Sequence, residues 1–145
     1  MLRDGVDREI VACLTENARL TYPAIGERVG LSAPAVKRRI DRLVEDGTIV
    51  AFTIALDPAA VGETTEAFVE VHCRGRTSPD QIRRLALGRP AVVAAYTVTG
   101  QADALFHLRC ADNRELEAAL EQIRADDAVE RTASVIVLSR LMRRG

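Results

Sequence analysis

Residues 22–49 read YPAIGERVGLSAPAVKRRIDRLVEDGTI, a pattern that few folds can accommodate. Ile25 and Val29 stand four apart while Glu27 and Arg28 point outward, the spacing of a short amphipathic helix. Gly30 follows where a left-handed residue ends a helix at least cost. Ser32 then offers an N-cap oxygen, and Pro34 falls in the first turn of the next helix, where its missing N–H breaks no bond. That second helix is expected to start at Ala33. Within it Val36, Ile40, Leu43 and Val44 follow i, i+4, i+7, i+8 and predict one buried stripe. Two capped helices joined by so short a turn predict a helix-turn-helix.

The opposite face of the second helix carries Pro34, Ala35, Arg38 and Arg42, with Lys37 and Arg39 on its shoulders. Such a face suits the major groove. The small residues Ser32, Ala33, Pro34 and Ala35 permit close approach to base edges, and Arg38 can meet a guanine in bidentate fashion. Lys37, Arg39 and Arg42 are then expected at phosphates. A helical hairpin with a solvated basic face would share this charge. It would not require the paired caps, nor Gly47 and the β-prone run TIVAFTIAL that follow.

Basicity is local, and this bears on assembly. The formal charge of the 145 residues is −1, and residues 32–43 hold four basic side chains against one acidic, a net of +3. A single module so nearly neutral would bind DNA weakly, because counterion release scales with the phosphates contacted. Several copies held together would compensate through effective concentration, so an oligomer is expected. The start MLRDGVDREIV has charges where a signal peptide needs an apolar core, and no apolar run approaches a membrane span, so a cytoplasmic location is expected. Cys13, Cys73 and Cys110 are far apart without a CxxC, which predicts buried small hydrophobes rather than a zinc site or disulfide framework. No metal, cofactor or catalytic residue is expected.

The organisation is that of two domains: residues 1–50 DNA-binding, 51–62 a strand linker, and 63–145 a second domain. Asp4 can cap a first helix in which Val6, Ile10 and Leu14 share a face, and Thr21 can cap the next. Residues 48–56 read as a strand ended by Asp57-Pro58, giving a winged-type helix-turn-helix with a strand linker. Beyond it Ala67, Val69, Val71 and Cys73 alternate with Glu66, Phe68, Glu70 and His72, the period of a half-buried strand. Ser78-Pro-Asp-Gln81 reads as a capping box opening a helix to about Leu87, and Asp112-Asn-Arg-Glu115 as a second. Strands are predicted over residues 92–99, 104–110 and 129–138, the middle pair forming a hairpin. The order β-α-β-β-α-β is that of a ferredoxin-like domain in the α+β class, two helices covering one face of an antiparallel sheet. Its uncovered face is expected to bury Val93, Ala95, Leu105, Ile136 and Leu138 in a dimer.

Taken together, VGLSAPAVKRRIDRLVEDGTI, the following LDPAAVG, the βαββαβ order and the hairpin VTGQAD resemble the Lrp/AsnC, or feast/famine, transcriptional regulators, from about Asp4 to Leu141. The resemblance implies a DNA-binding homodimer that assembles further, often to an octamer, and responds to an effector, usually an amino acid. In relatives the effector lies between dimers near the hairpin turn. Carried over, its site comprises Thr97, Val98, Thr99, Gly100, Gln101 and Asp103, faced by Ser134, Val135 and Ile136 of a neighbouring subunit. The residue types suit that role: Gly100 lets backbone N–H groups approach a carboxylate, Asp103 can accept from an ammonium or orient the loop that does, and Val135 and Ile136 can meet an apolar side chain. A Gly-x-x-Asp turn can equally serve only to join two strands.

Two departures from the family pattern stand out. Gln101 and Ala102 occupy turn positions where relatives commonly have a charged residue and then an aromatic, so effector identity does not transfer. The sequence also ends in LSRLMRRG, where some members have a longer extension, with Arg140, Arg143 and Arg144 available to DNA or a neighbour. Two other functions fit parts of the pattern. One is a DNA-organising protein without an effector; the other is an Lrp-like decarboxylase of a haem precursor using His72 or His107.

Overall fold

The computed structural model describes residues 4–142 and divides them into two compact units, one running to Ala55 and the other starting at Leu56.

The first unit is built of α1 (Gly5–Glu16), α2 (Tyr22–Val29) and α3 (Ala33–Glu45). Asp4 caps α1 by accepting from the Asp7 N–H, and Thr21 caps α2 by accepting from Ala24 N–H. Gly30 has the left-handed φ of 70° that ends α2, as the sequence predicts. Ile10, Cys13, Ile25, Val36 and Ile40 make the core, with Val6, Leu14, Leu20 and Val29 packed against it. Ser32 stands at the N-cap of α3 but its hydroxyl caps nothing. Val44 is 45% exposed, so the buried stripe of α3 ends at Leu43. At the i+8 position the helix has already turned past the edge of the core.

No strand forms over residues 46–57, so neither the wing nor the linker strand expected there is present. A strand needs a hydrogen-bonding neighbour, and the only sheet among the described residues lies wholly in the second unit. Val50, Phe52, Ile54 and Leu56 are consequently exposed. Asp57 then caps a short 3-10 turn, Pro58–Val61, closed by the left-handed Gly62.

The second unit contains β1 (Thr65–Cys73), α4 (Pro79–Leu87), β2 (Val92–Thr97), β3 (Ala104–Cys110), α5 (Asn113–Arg124) and β4 (Val129–Ile136). Sheet order is β2-β3-β1-β4, every pair antiparallel. The Ser78/Gln81 capping box is complete. At α5 Asp112 caps the Glu115 N–H, but the Glu115 carboxylate reaches back to Ala111 N–H, one residue before the N-cap. β3 has the predicted span, while β2 and β4 are each two residues shorter than predicted.

Ala67, Val69, Val71 and Cys73 of β1 pack with Phe106 and Leu108 of β3 beneath Ile82, Leu85, Leu116 and Ile123 of the two helices. The registers Phe68↔His107, Glu70↔Leu105, Phe68↔Val135 and Leu105↔Tyr96 place these residues on the other, uncovered face. Of the apolar residues expected there, Leu105 is present. Ile136 pairs with Ala67 and Ala95 with Phe106, so both belong to the helix-covered face, because the side-chain period of two lets no residue choose its side.

Candidate functional site

Helix α3 sorts its cations into two groups. Arg38 is exposed and makes no hydrogen bond or ion pair among the described residues. Lys37 bonds Asp41 four residues on, at 2.6 Å, and this contact holds its ammonium above its usual value. Both partners are about half exposed, so solvent screens the pair and it holds Lys37 only loosely. Ser32 and Pro34 are exposed beside them and Ala33 and Ala35 half-buried, giving the low-profile helix start that base-edge contact requires.

Arg39 and Arg42 sit differently from the phosphate role expected of them. Asp7 of α1 is fully buried, and its Oδ1 accepts from Arg39 Nη1 at 2.7 Å while Oδ2 accepts from Arg42 Nη2 at 2.9 Å. Arg39 also donates to Asp4 at 2.8 Å, which with the Asp7 backbone N–H holds the Asp4 carboxyl below its ordinary value. Removing one partner from a buried pair typically costs about 3–5 kcal/mol. The physical reason for the departure is therefore Asp7, whose buried charge must be neutralised across 32 and 35 residues of sequence. Helical spacing alone does not reveal that demand.

In the second unit the β2–β3 turn lines a cavity of about 410 Å³ with residues 98–102, Glu70 and Leu105. Gly100 has φ 119°, a conformation closed to other residues without strain. Asp103 is held in place: its Oδ2 accepts from Cys73 N–H at 2.7 Å and its own N–H donates to Val71 O at 3.0 Å. His72, only 6% exposed, donates from Nδ1 to Gln101 O at 3.0 Å, with Nε2 3.7 Å from Glu70. Two β1 residues thus fix the turn's shape, and Glu70 is the half-exposed carboxylate beside it. Sequence reading placed neither His72 nor Glu70 at this turn; the register of the sheet does so.

Thr97, Val98, Thr99, Gly100, Gln101 and Asp103 are thereby brought together. Ser134, Val135 and Ile136 are not. They lie on β4, the opposite edge of the sheet, three strand spacings or roughly 14 Å from β2. All three are exposed.

His107 belongs to a separate cluster on the uncovered face. Its Nε2 lies 2.5 Å from Glu66 Oε1, and its ring stacks on Phe68 at 4.7 Å. Arg140 donates to both Glu66 oxygens at 2.6 and 2.8 Å. Arg143 and Arg144 fall outside the described residues. Among the described residues no group of His, Cys, Asp and Glu could hold a metal, and no helix is long and apolar enough to cross a membrane.

Two family models match the chain: the AsnC-type helix-turn-helix domain over residues 4–44, and the Lrp/AsnC ligand binding domain over residues 66–145. The HTH-type transcriptional regulator Rv2324 of Mycobacterium tuberculosis is 51% identical, over 97% of this chain and 95% of its own length. Among solved structures, the feast or famine regulatory protein Rv3291c from M. tuberculosis complexed with L-methionine superposes with a TM-score of 0.89 at 31% identity, covering 97% of this chain and 95% of that one. The transcriptional regulator NMB0573 from Neisseria meningitidis, in complex with L-Met, does so with 0.88 at 26% identity, covering 98% and 94%. With its helix-turn-helix and its four-stranded α+β domain both matched along their lengths, this chain is a transcriptional regulator belonging to the Lrp/AsnC family.

Proposed function

We propose that the chain reads specific operator DNA through α3 and changes its assembly or DNA affinity on binding an amino acid at the β2–β3 turn. The observation that carries the first half is Arg38, exposed without a partner on a helix opened by Ser32, Ala33, Pro34 and Ala35. Lys37 supplies a phosphate contact beside it. Two such helices in a dimer address major grooves one helical turn, or a multiple, apart.

The effector half rests on the turn cavity and on the two structural neighbours described with L-methionine. Gly100 and its neighbouring N–H groups suit the ligand carboxylate, and Glu70 suits its ammonium. Ser134, Val135 and Ile136 of another copy complete the site, so ligand binding and assembly are linked. A ligand acts only as far as it binds the assembled and unassembled states differently. The uncovered sheet face, with Phe68, Tyr96, Leu105 and Val135, supplies the dimer contact, and dimers associate to an octamer or similar particle. In this reading the protein works in the cytoplasm and is no enzyme: His72 and His107 are engaged with Gln101 and Glu66 as parts of the scaffold.

The test is a thermal-shift screen against the proteinogenic amino acids, with particle size followed by light scattering. A side-chain-selective rise in melting temperature with a change of size is expected. No response to any of them, in protein that still binds DNA, favours an effector-independent DNA organiser instead.

A further inference from the structure

We propose that Asp7 withholds Arg39 and Arg42 from DNA and so acts as a specificity-determining positioning residue, leaving Arg38 and Lys37 as the cations that meet the duplex. The inference rests on the reading of α3 as the DNA-contacting helix. Its basis is the burial of one carboxylate. Asp7 is fully buried on α1, and both of its oxygens are taken by guanidinium groups of α3, at 2.7 Å from Arg39 and 2.9 Å from Arg42. Asp4 takes a second share of Arg39 at 2.8 Å.

Charge bookkeeping gives the consequence. Arg39 and Arg42 against Asp4 and Asp7 sum to zero, and Lys37 and Arg38 against Asp41 leave +1, so the +3 counted along the sequence is not what DNA meets. Moving either arginine to a phosphate would take from a fully buried carboxylate one of its two guanidinium partners, a larger loss than an exposed ionic contact returns. Both arginines therefore stay on α1 when DNA binds, fixing the orientation of α3. Phosphate contacts raise affinity for every sequence alike, whereas base contacts discriminate. Keeping two cations off the backbone lowers non-specific binding while sparing the residue that reads bases.

The test is the salt dependence of binding to two duplexes: one enriched by the wild-type protein from a random library, and a shuffled version of it. Arg39→Gln and Arg42→Gln, assayed well below their lowered melting temperatures, are expected to leave the slope of log Kobs against log[salt] unchanged. Lys37→Gln is expected to flatten that slope by about 0.9 for each phosphate lost. Asp7→Asn is expected to steepen it, to tighten binding to the shuffled duplex by roughly tenfold at low salt, and to narrow the ratio between duplexes. A slope that falls by about 0.9 in Arg39→Gln or Arg42→Gln overturns the proposal, as does a folded Asp7→Asn protein with wild-type slope and wild-type affinity for the shuffled duplex. Should Asp7→Asn fail to fold, the two arginine variants decide on their own. Wild-type protein that enriches no duplex from the random library overturns the DNA reading itself and this inference with it, an outcome distinct from altered slopes.

Discussion

The carboxylate of Asp103 accepts a 2.7 Å hydrogen bond from the backbone N–H of Cys73, tying the β2–β3 turn to the end of β1. Cys73 is buried, so its N–H has no water to fall back on. Of the two roles the sequence allows Asp103, accepting from an effector's ammonium or orienting the loop, this bond serves the second.

Asp103→Ala is expected to destabilise the second unit by about 1–3 kcal/mol, the cost of an unsatisfied buried donor, and to abolish the ligand response as the turn loosens. Asp103→Asn keeps an acceptor oxygen and is expected to retain both. Urea unfolding and calorimetric titration of the two variants check this. A stable Asn variant that no longer binds ligand would put the charge itself in the site.

How far the chain can be read in advance depends on the range of the interaction. The caps at Asp4, Thr21 and Ser78 and the stop at Gly30 act within three or four residues, and all are visible in the sequence. The alternation in β1 likewise specifies which residues the helices cover. Arg39 and Arg42 lie on the outward side of their own helix by spacing, yet a carboxylate more than thirty residues earlier takes them. His72 falls on the uncovered face by alternation but is buried, because the next hairpin folds over it and supplies Gln101 O. The residues of the arm at 48–56 have the right chemistry for a strand and no neighbour to pair with. Gathering Ser134, Val135 and Ile136 with the turn is beyond a single chain's geometry altogether.

The helix-turn-helix depends on a close approach at Gly26, where a Cβ would overlap the carbonyl oxygen of Leu31 in the turn. Leu31 N–H in turn donates to Gly26 O at 3.0 Å. Because the obstacle is backbone, Gly26→Ala is expected to destabilise the first unit by about 1–3 kcal/mol, against the mild gain an alanine usually brings to a helix. Hydrogen exchange of α2 and α3 reads this unit by itself. Protection equal to the wild type would mean that the turn yields freely.

The uncovered face carries Phe68 and its cross-strand partner Val135, and Tyr96 paired with Leu105 two residues further along the sheet; Phe68, Tyr96 and Val135 are all exposed in the single chain. Placing a carboxylate there by Phe68→Asp is expected to weaken self-association by roughly a hundredfold, since it would be buried without a partner on assembly. Sedimentation velocity should then show monomers, with the circular dichroism of the fold kept. Unchanged particles would assign the dimer contact to another surface.

Glu66 makes stability depend on acidity. Burial pushes its carboxyl up, but the hydrogen bonds from Arg140 and His107 outweigh burial and leave it below its ordinary value of 4.5. A carboxyl depressed in the folded state contributes stability that is fully present above its unfolded value and is lost as pH falls through the folded one. The melting temperature is therefore expected to drop progressively below about pH 4.5, and Glu66→Gln to flatten part of that slope while lowering stability near neutrality. Scanning calorimetry across this window decides. A variant with the wild-type slope would show that Glu66 is no better paired in the folded chain than in the unfolded one.

Arg38 and Lys37 are neighbours on α3 with different expected duties, and alanine substitutions separate them. Arg38→Ala removes the side chain set to read a base, and is expected to cost about 1–3 kcal/mol on the selected duplex with little change on a shuffled one. Lys37→Ala removes a charge already shared with Asp41, and is expected to weaken both duplexes by similar, smaller amounts. Competition binding of each variant against both duplexes, at one fixed salt concentration, gives the two ratios directly. Equal losses on both duplexes for Arg38→Ala would make Arg38 a phosphate contact, and base readout would then have to come from Ser32, Ala33, Pro34 and Ala35 through apolar contact and backbone approach at the start of α3.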